Sequence, residues 1–456
     1  MTYRLNPICS SGEFANKVPD LVRKLRRTLC LPGARVVLLA GCLLYPVACK
    51  SPAGTSSVNA RAAEYLRLAV ALGDRDPDSI DFHFGSDDPR IERELPKLAD
   101  IAEQSAQLRD LLGQEEERPM PATDRRRTAF LRLQLDALSL RARMLSGAML
   151  PFDSEAATFF GVTAGTDTAA AARAQTREKV ARLLENRNHP AHAYSLYEQQ
   201  FIVAPAKVPV VFEAALQECR TATLQHVQMP EGEHVDVEYV FHKPWSGFSR
   251  YLGHGHSLIQ INVEFPLTVD RILNLACHEG YPGHHVFNTL RDKALVEEAH
   301  EEEWRAQPTF SRQSLVSEAA ASDAPEMAFT PQQRLHVERD VLFPLAGLDT
   351  GKAERYLQVE ALVGSLDSAV PSIARDYFDG RLEFVRAADA LERETLMEHA
   401  ETLLLYLNEY RSYALTYTTG RSMVQQLVER DHPSQEVRWR RYVSLMTQPV
   451  YSLDSD

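Results

Sequence analysis

Between positions 274 and 286 the chain reads Asn-Leu-Ala-Cys-His-Glu-Gly-Tyr-Pro-Gly-His-His-Val, which places the imidazoles of His278, His284 and His285 close to the carboxylate of Glu279. A hydrolytic metal centre needs two or three neutral imidazoles or carboxylates as ligands, an open coordination position, and a carboxylate that can accept a proton from water. In the familiar helical arrangement two histidines stand at i and i+4, with the glutamate directly after the first. Here the i+4 position from His278 is Pro282. Proline has no N–H to give to the His278 carbonyl and its ring clashes there, so the helix must break or kink just past His278-Glu279. Gly283 permits the reversal. Taking Pro282-Gly283 out of the spacing restores one helical turn between His278 and His284. We therefore expect His278 and His284 to be metal ligands and Glu279 to be the general base, with His285 kept as an alternate second ligand or transition-state donor. A third ligand should be a carboxylate on a separate helix. The candidate is Glu318 in Ser317-Glu-Ala-Ala-Ala321, whose small neighbours would let its helix approach, although periodicity alone places Glu318 equally well at the surface.

These residues need elements to hold them. Val235, Val237, Tyr239 and Phe241 alternate with polar residues, which predicts a strand with one buried face, and 258–263 is a second β run. Residues 244–253, rich in turn-forming types, read as the connection between them. Asp270 can cap a helix carrying 271–279, so a hairpin-like sheet leads into the metal cluster. The strand 258–263 could also pair with an extended substrate. Before this region, apolar residues recur at helical spacing from Ala63 to Leu72 and over 91–112, 124–145 and 169–184, with Ser154 placed as an N-cap before the apolar run 156–160. After it, 309–321, 331–342, 351–366, 370–378, 382–408 and 411–429 carry the same spacing. The fold class expected is mainly α with a small antiparallel β-sheet, an N-terminal helical region over 59–205 and a catalytic region over 206–456.

The 456 residues are 44% hydrophobic and 25% charged, an ordinary globular composition, and the net charge of −13 argues against a nucleic-acid partner. The N-terminus stands apart. Arg23, Lys24, Arg26, Arg27 and Arg35 precede an apolar run over 36–48 that is too short and wrongly flanked to span a membrane, so 1–49 reads as an export signal peptide rather than part of the fold. Cys49, followed by Lys-Ser-Pro-Ala-Gly-Thr-Ser-Ser, resembles the processed cysteine of bacterial lipoproteins. Cys42, after Leu39-Ala-Gly41, competes for that role, but Cys49 gives the longer apolar run and has the polar tether (50–58) behind it. An uncleaved anchoring helix is the other reading. The expectation is an exported protein of the bacterial cell envelope, periplasmic and in contact with the membrane only through a lipid on Cys49. Cys219 and Cys277 then remain; they could pair in an oxidising periplasm, but no disulfide framework is evident, and Cys277 reads as a small core residue. His254 and His256 have a spacing open to a second metal but read as a surface loop.

The segment His278-Glu-Gly-Tyr-Pro-Gly-His-His285 resembles the HExxPGHH signature of the uncharacterised bacterial family DUF885, which is similar to zinc peptidases whose third ligand is a Glu on a following helix. The resemblance runs over about 59–427. Ala63 to Gly73 with Asp76-Pro77 and Asp81 resembles the family's opening helix, and Phe152-Asp-Ser-Glu155 with Phe160-Gly-Val162 resembles a later motif. Residues 257–266, with Asn262, resemble the strand before the metal helix. Ser317-Glu318 followed by Met327-Ala-Phe329 is similar to a Ser-Glu-Gly segment, and Tyr413-Ala-Leu-Thr-Tyr417-Thr-Thr-Gly420 to an Ala-x-x-Tyr-Lys-x-Gly helix. Ala319 stands where the family has Gly and Thr418 where it often has Lys; the first is a packing change, and the second puts a charge role there in doubt. The resemblance implies a gluzincin-like zinc metallopeptidase, a hydrolase with Zn2+ on His278, His284 and Glu318. It implies that Glu279 takes a proton from the attacking water and that a donor, for which Tyr417 is the candidate, steadies the oxyanion. A peptide or small amide would be the substrate. Two other readings are a non-catalytic, metal-containing peptide-binding lipoprotein and a metallohydrolase of non-peptide amides.

Overall fold

A computed structural model describes residues 57–85, 95–243 and 245–448 of the chain. The signal segment, Cys42, Cys49 and the tether up to residue 56 lie outside the described residues. Helix α1 (Ser57–Arg75) buries Tyr65, Leu68 and Leu72 at helical spacing against α2 (Leu98–Glu116) and α3 (Ala122–Leu145), whose Leu108, Leu112, Leu131 and Leu135 complete a local core. Asp76-Pro77 stops α1, and the chain then forms β1 (Ile80–His83), which pairs antiparallel with β5 (Ala306–Pro308). This small sheet carries N-terminal residues to the middle of the molecule.

Helix α4 (Phe152–Phe160) starts two residues before the expected cap Ser154, because the Phe152 N–H finds its acceptor elsewhere, on Asp379 Oδ1 at 2.9 Å. Helices α5 (Ala170–Leu183), α6 (Pro190–Glu198) and α7 (Val208–Leu224) follow. The second sheet is not purely antiparallel as expected. Its strands β2 (His234–Val240), β3 (Gly247–Gly253) and β4 (His256–Asn262) lie in the order β2-β4-β3, with β2 parallel to β4 and β3 antiparallel to it. The reason is that 247–253, expected as a turn, is itself a strand. The hairpin turn is shorter and lies at Gly253, His254 and Gly255, all with positive φ. Strand β4 is therefore flanked on both sides and has no free edge for a substrate; β2 and β3 are the edges.

Helix α8 (Val269–Leu275) is preceded by Thr268, and Asp270 lies inside its first turn, where it accepts from Thr268 Oγ1 at 2.8 Å and from the Tyr356 hydroxyl. After the helix break come α9 (His284–Arg291) and α10 (Arg312–Ala328). Ser311 caps α10 by accepting from Ser314 N–H at 3.1 Å, so this helix begins later than the spacing implied. Helix α10 is buried along almost its whole length. It packs against α4, α7 and α9 and against the later helices α17 (Arg421–Glu429) and α18 (Gln435–Thr447), while α11 to α14 (Pro331–His336, Phe343–Ala346, Ala353–Gly364, Val370–Phe378), α15 (Phe384–Thr395) and α16 (Glu401–Tyr410) connect them in sequence. The run expected over 382–408 breaks at Leu396, which has φ +58. The described residues are thus mainly helical, as the sequence implied, with two small sheets where one was expected. Cys219 of α7 and Cys277 form a disulfide with their Cα atoms 5.5 Å apart, so Cys277 is a cross-link as well as a core residue.

Candidate metal centre

Helix α8 runs on into a π-helical turn, Ala276–Gly280, that carries His278 and Glu279, and the helix then breaks at Tyr281-Pro282. Widened turns of this kind recur at functional sites because they re-aim side chains within a helix. Gly283 is required by close approach rather than by its φ of −73°. A Cβ at this position would lie 1.9 Å from the His278 carbonyl oxygen, and the Gly283 N–H donates to Cys277 O at 2.9 Å. The chain doubles back against the end of the first helix and starts α9 at His284. The His278 and His284 rings consequently stand edge to face with centroids 4.6 Å apart.

Glu318 projects from α10 onto both. Its Oε1 is 3.1 Å from His284 Nε2 and its Oε2 is 3.6 Å from His278 Nε2. One ligand-type atom from each of the three residues lies within 4.8 Å of the others, and all three residues are buried. His284 Nδ1 is oriented by Ser317 Oγ at 3.3 Å. The electrostatics describe a site that holds positive charge. Burial opposes the charged form of His284, yet the carboxylates of Glu318, Glu279 and Asp81 keep its pKa up at about 9. Burial and the neighbouring His284 push His278 down to about 4. Burial would raise the Glu318 carboxyl, but the two imidazoles hold it well below the usual range. Glu318 Oε2 has no hydrogen bond of normal length. Two imidazole nitrogens and a carboxylate converging on one point fit a divalent cation of the zinc type.

Glu279 is buried beside this trio, and burial with the like charge of Glu318 pushes its carboxyl up to about 7, against the pull of His284, Arg271 and the Ser249 backbone. Gly247 of β3 makes room for it: a Cβ there would lie 3.4 Å from Glu279 Oε1 and 2.8 Å from Leu275. Tyr417 lines the same cavity, about 260 Å³ in volume. Burial and the charges of Glu318 and Glu279 raise its hydroxyl pKa well above the ordinary value. Tyr417 belongs to a second π-helical turn, Thr416–Gly420, pressed against α10. At Gly420 a Cβ would meet Leu315 at 2.8 Å and Ala319 Cβ at 3.3 Å, so Ala319 is accommodated because position 420 has no side chain. The tyrosine segment is anchored from the other side by Glu155, fully buried on α4, which accepts from Ser412 Oγ and Arg411 Nε, each at 2.6 Å.

His285 is elsewhere. Its Nδ1 lies 2.8 Å from Ser257 Oγ and its Nε2 2.8 Å from Glu233 Oε2, so both ring nitrogens are engaged away from the metal trio. This removes it as the alternate ligand or donor. Glu233, which sequence reasoning passed over, also accepts from Tyr281 and Arg220. Burial works to raise its pKa, but these three donors hold it at about 2. The network fixes the segment just after the break. A second residue not singled out as a site residue is Asp81, which lines the cavity from β1. Its only sequence signal was its place in the opening motif. His254 and His256 form two separate surface groups with nearby acids. His256 Nε2 is 2.9 Å from Asp236 and its ring stacks on His234, while His254 lies 3.4 Å from Glu297.

No protein-family model and no curated protein matches the chain. Among solved structures it is similar to a Colwellia psychrerythraea protein described as a candidate lipoprotein, at 11% identity and a TM-score of 0.47 over 77% of this chain and 68% of that one. It is also similar to a protein named BsuCP, at 10% identity and a TM-score of 0.35 over 86% and 89% of the two chains. Neither likeness is close enough to carry a fold or an activity over to this chain.

Proposed function

We propose that this chain is a zinc-dependent hydrolase, a metallopeptidase of gluzincin-like design in keeping with its resemblance to the DUF885 family. The observation that carries the reading is the convergence of His278, His284 and Glu318 in a cavity that also holds Glu279 and Tyr417. When bound, zinc supplies Lewis acidity to a water molecule and to the carbonyl under attack. Glu279, buried beside the three ligands, would accept the proton of that water and pass it to the departing amine. In this reading Tyr417, which lines the same cavity, donates its hydroxyl proton in a hydrogen bond to the oxyanion. The edge strand β3 lines the cavity through Gly247, Phe248 and Ser249 and offers main-chain groups to an extended peptide.

The same proposal places the enzyme in the periplasm on a lipid attached to Cys49. The export-type N-terminus supports this, and the Cys219–Cys277 disulfide fits an oxidising compartment. No described helix is long and apolar enough to cross a membrane. Metal analysis and a mixed-peptide cleavage screen on the purified protein test the reading. His278→Ala should lose zinc, and Glu279→Gln should keep zinc while hydrolysis drops by several orders of magnitude. Full activity in either variant overturns the assignment, and absence of a fatty-acid label that depends on Cys49 overturns the anchor.

A further inference from the structure

Asp81 is a half-buried carboxylate on the wall of the cavity. It stands on β1 and is oriented by two neutral donors, Thr309 Oγ1 at 2.8 Å to its Oδ1 and Gln307 Nε2 at 3.2 Å to its Oδ2. Among the described residues no Lys or Arg forms an ion pair with it. The buried Arg291 reaches it only through Gln307, whose Oε1 accepts from Arg291 Nη2 at 2.8 Å. Loss of water in the cavity and the neighbouring charge of Glu318 raise the Asp81 pKa to about 6.

The rest of the cavity has the same sign. Its walls carry the carboxylates of Asp78, Asp81, Glu279 and Glu318 and no Lys or Arg. A divalent cation on His278, His284 and Glu318 would offset two of these four negative charges and leave two over, on Asp78 and Asp81. The same cavity is lined by Tyr410 and Tyr413, whose ring centroids are 6.0 Å apart, and the Tyr410 hydroxyl donates to Asp78 Oδ1 at 3.2 Å. Aromatic faces attract cations, most strongly where water is excluded.

We propose that the cavity binds an ammonium group between Asp81 and the rings of Tyr410 and Tyr413, so that the substrate is a short peptide or amide presented by its free amine end. The peptide part of this statement rests on the hydrolase reading; the ammonium part does not. A volume of about 260 Å³ suits one or two residues beyond the scissile bond rather than the interior of a long chain. An acid and aromatic walls reject a terminal carboxylate, which favours trimming from the amino end.

Binding of phenethylamine and of its neutral counterpart 2-phenylethanol, followed by calorimetry on the protein as purified with its metal content measured in parallel, tests the proposal. Wild type should bind the amine at least tenfold more tightly than the alcohol. Asp81→Asn should abolish that preference while leaving alcohol binding unchanged, and Asp81→Glu, which restores the charge, should recover part of it. Circular dichroism of each variant reports folding. Equal binding of the two probes by wild type, or a preference that persists in a folded Asp81→Asn, overturns the subsite. A protein without zinc overturns the hydrolase reading instead, and the amine preference still reports on Asp81.

Discussion

At the scale of single residues, the pair His284-His285 shows how far composition leads. Both imidazoles were candidates because both sit just past the break. What separates them is a partner 52 positions earlier, Glu233, which together with Ser257 occupies both nitrogens of His285. No local spacing announces such a partner, whereas the bond-geometry argument from Pro282 did select His284. Glu233 has a measurable consequence. Its pKa of about 2 lies below the ordinary carboxylate value, so the stability it confers is fully present above about pH 4.5 and is lost as pH falls toward 2. Glu233→Gln should cost about 3 kcal/mol at pH 7, because it removes the negative charge paired with Arg220 and replaces one of the two accepting oxygens with an amide N–H donor. The gap to wild type should narrow between pH 4.5 and 2. Denaturant unfolding of both proteins across that range checks this, and a gap independent of pH would refute it.

At the scale of elements, the helix break was readable because proline chemistry is local, while the sheet was misread because its topology is not. Residues 247–253 carry Gly, Ser and Arg among their aromatics, and only pairing with β4, Ser249 opposite Ile259 and Tyr251 opposite Ser257, makes them a strand. The same long-range logic brings Asp81 into the cavity through the β1–β5 pair and fixes the tyrosine segment through Glu155. The metal ligands depend most on the turn between α8 and α9. Gly283 abuts the carbonyls of Cys277 and His278, so a methyl group there must push α9 away from the π-helical turn. Gly283→Ala is expected to weaken zinc retention at least tenfold and to destabilise the protein by about 2–4 kcal/mol, the range for mutations with no room to relax. Competition with a zinc chelator measures the first effect; retention equal to wild type would show that the doubled-back chain does not set the ligand spacing.

At the scale of the whole molecule, the site is the meeting point of segments that are far apart in sequence: β1 near residue 81, the π-helical turn and α9 around 280, α10 around 318, and the tyrosines up to 417. The mainly helical class was legible because amphipathic spacing is a local property repeated along the chain. The assembly was not, because it depends on contacts across hundreds of positions. The Cys219–Cys277 disulfide reinforces that assembly at its chemical centre, since it ties α7 to the residue before His278. Its sequence separation of 58 residues closes a long loop, and constraining the unfolded chain over such a loop contributes about 4 kcal/mol. Cys219→Ser, and equally reduction of the wild type, should lower stability by up to that amount. Because the cross-link ends beside a ligand, zinc should also be lost at lower denaturant than global unfolding requires. Parallel unfolding and zinc-release curves for oxidised and reduced protein test the coupling. If the two curves coincide in both states, the disulfide acts on the fold as a whole and not on the ligand-bearing turn.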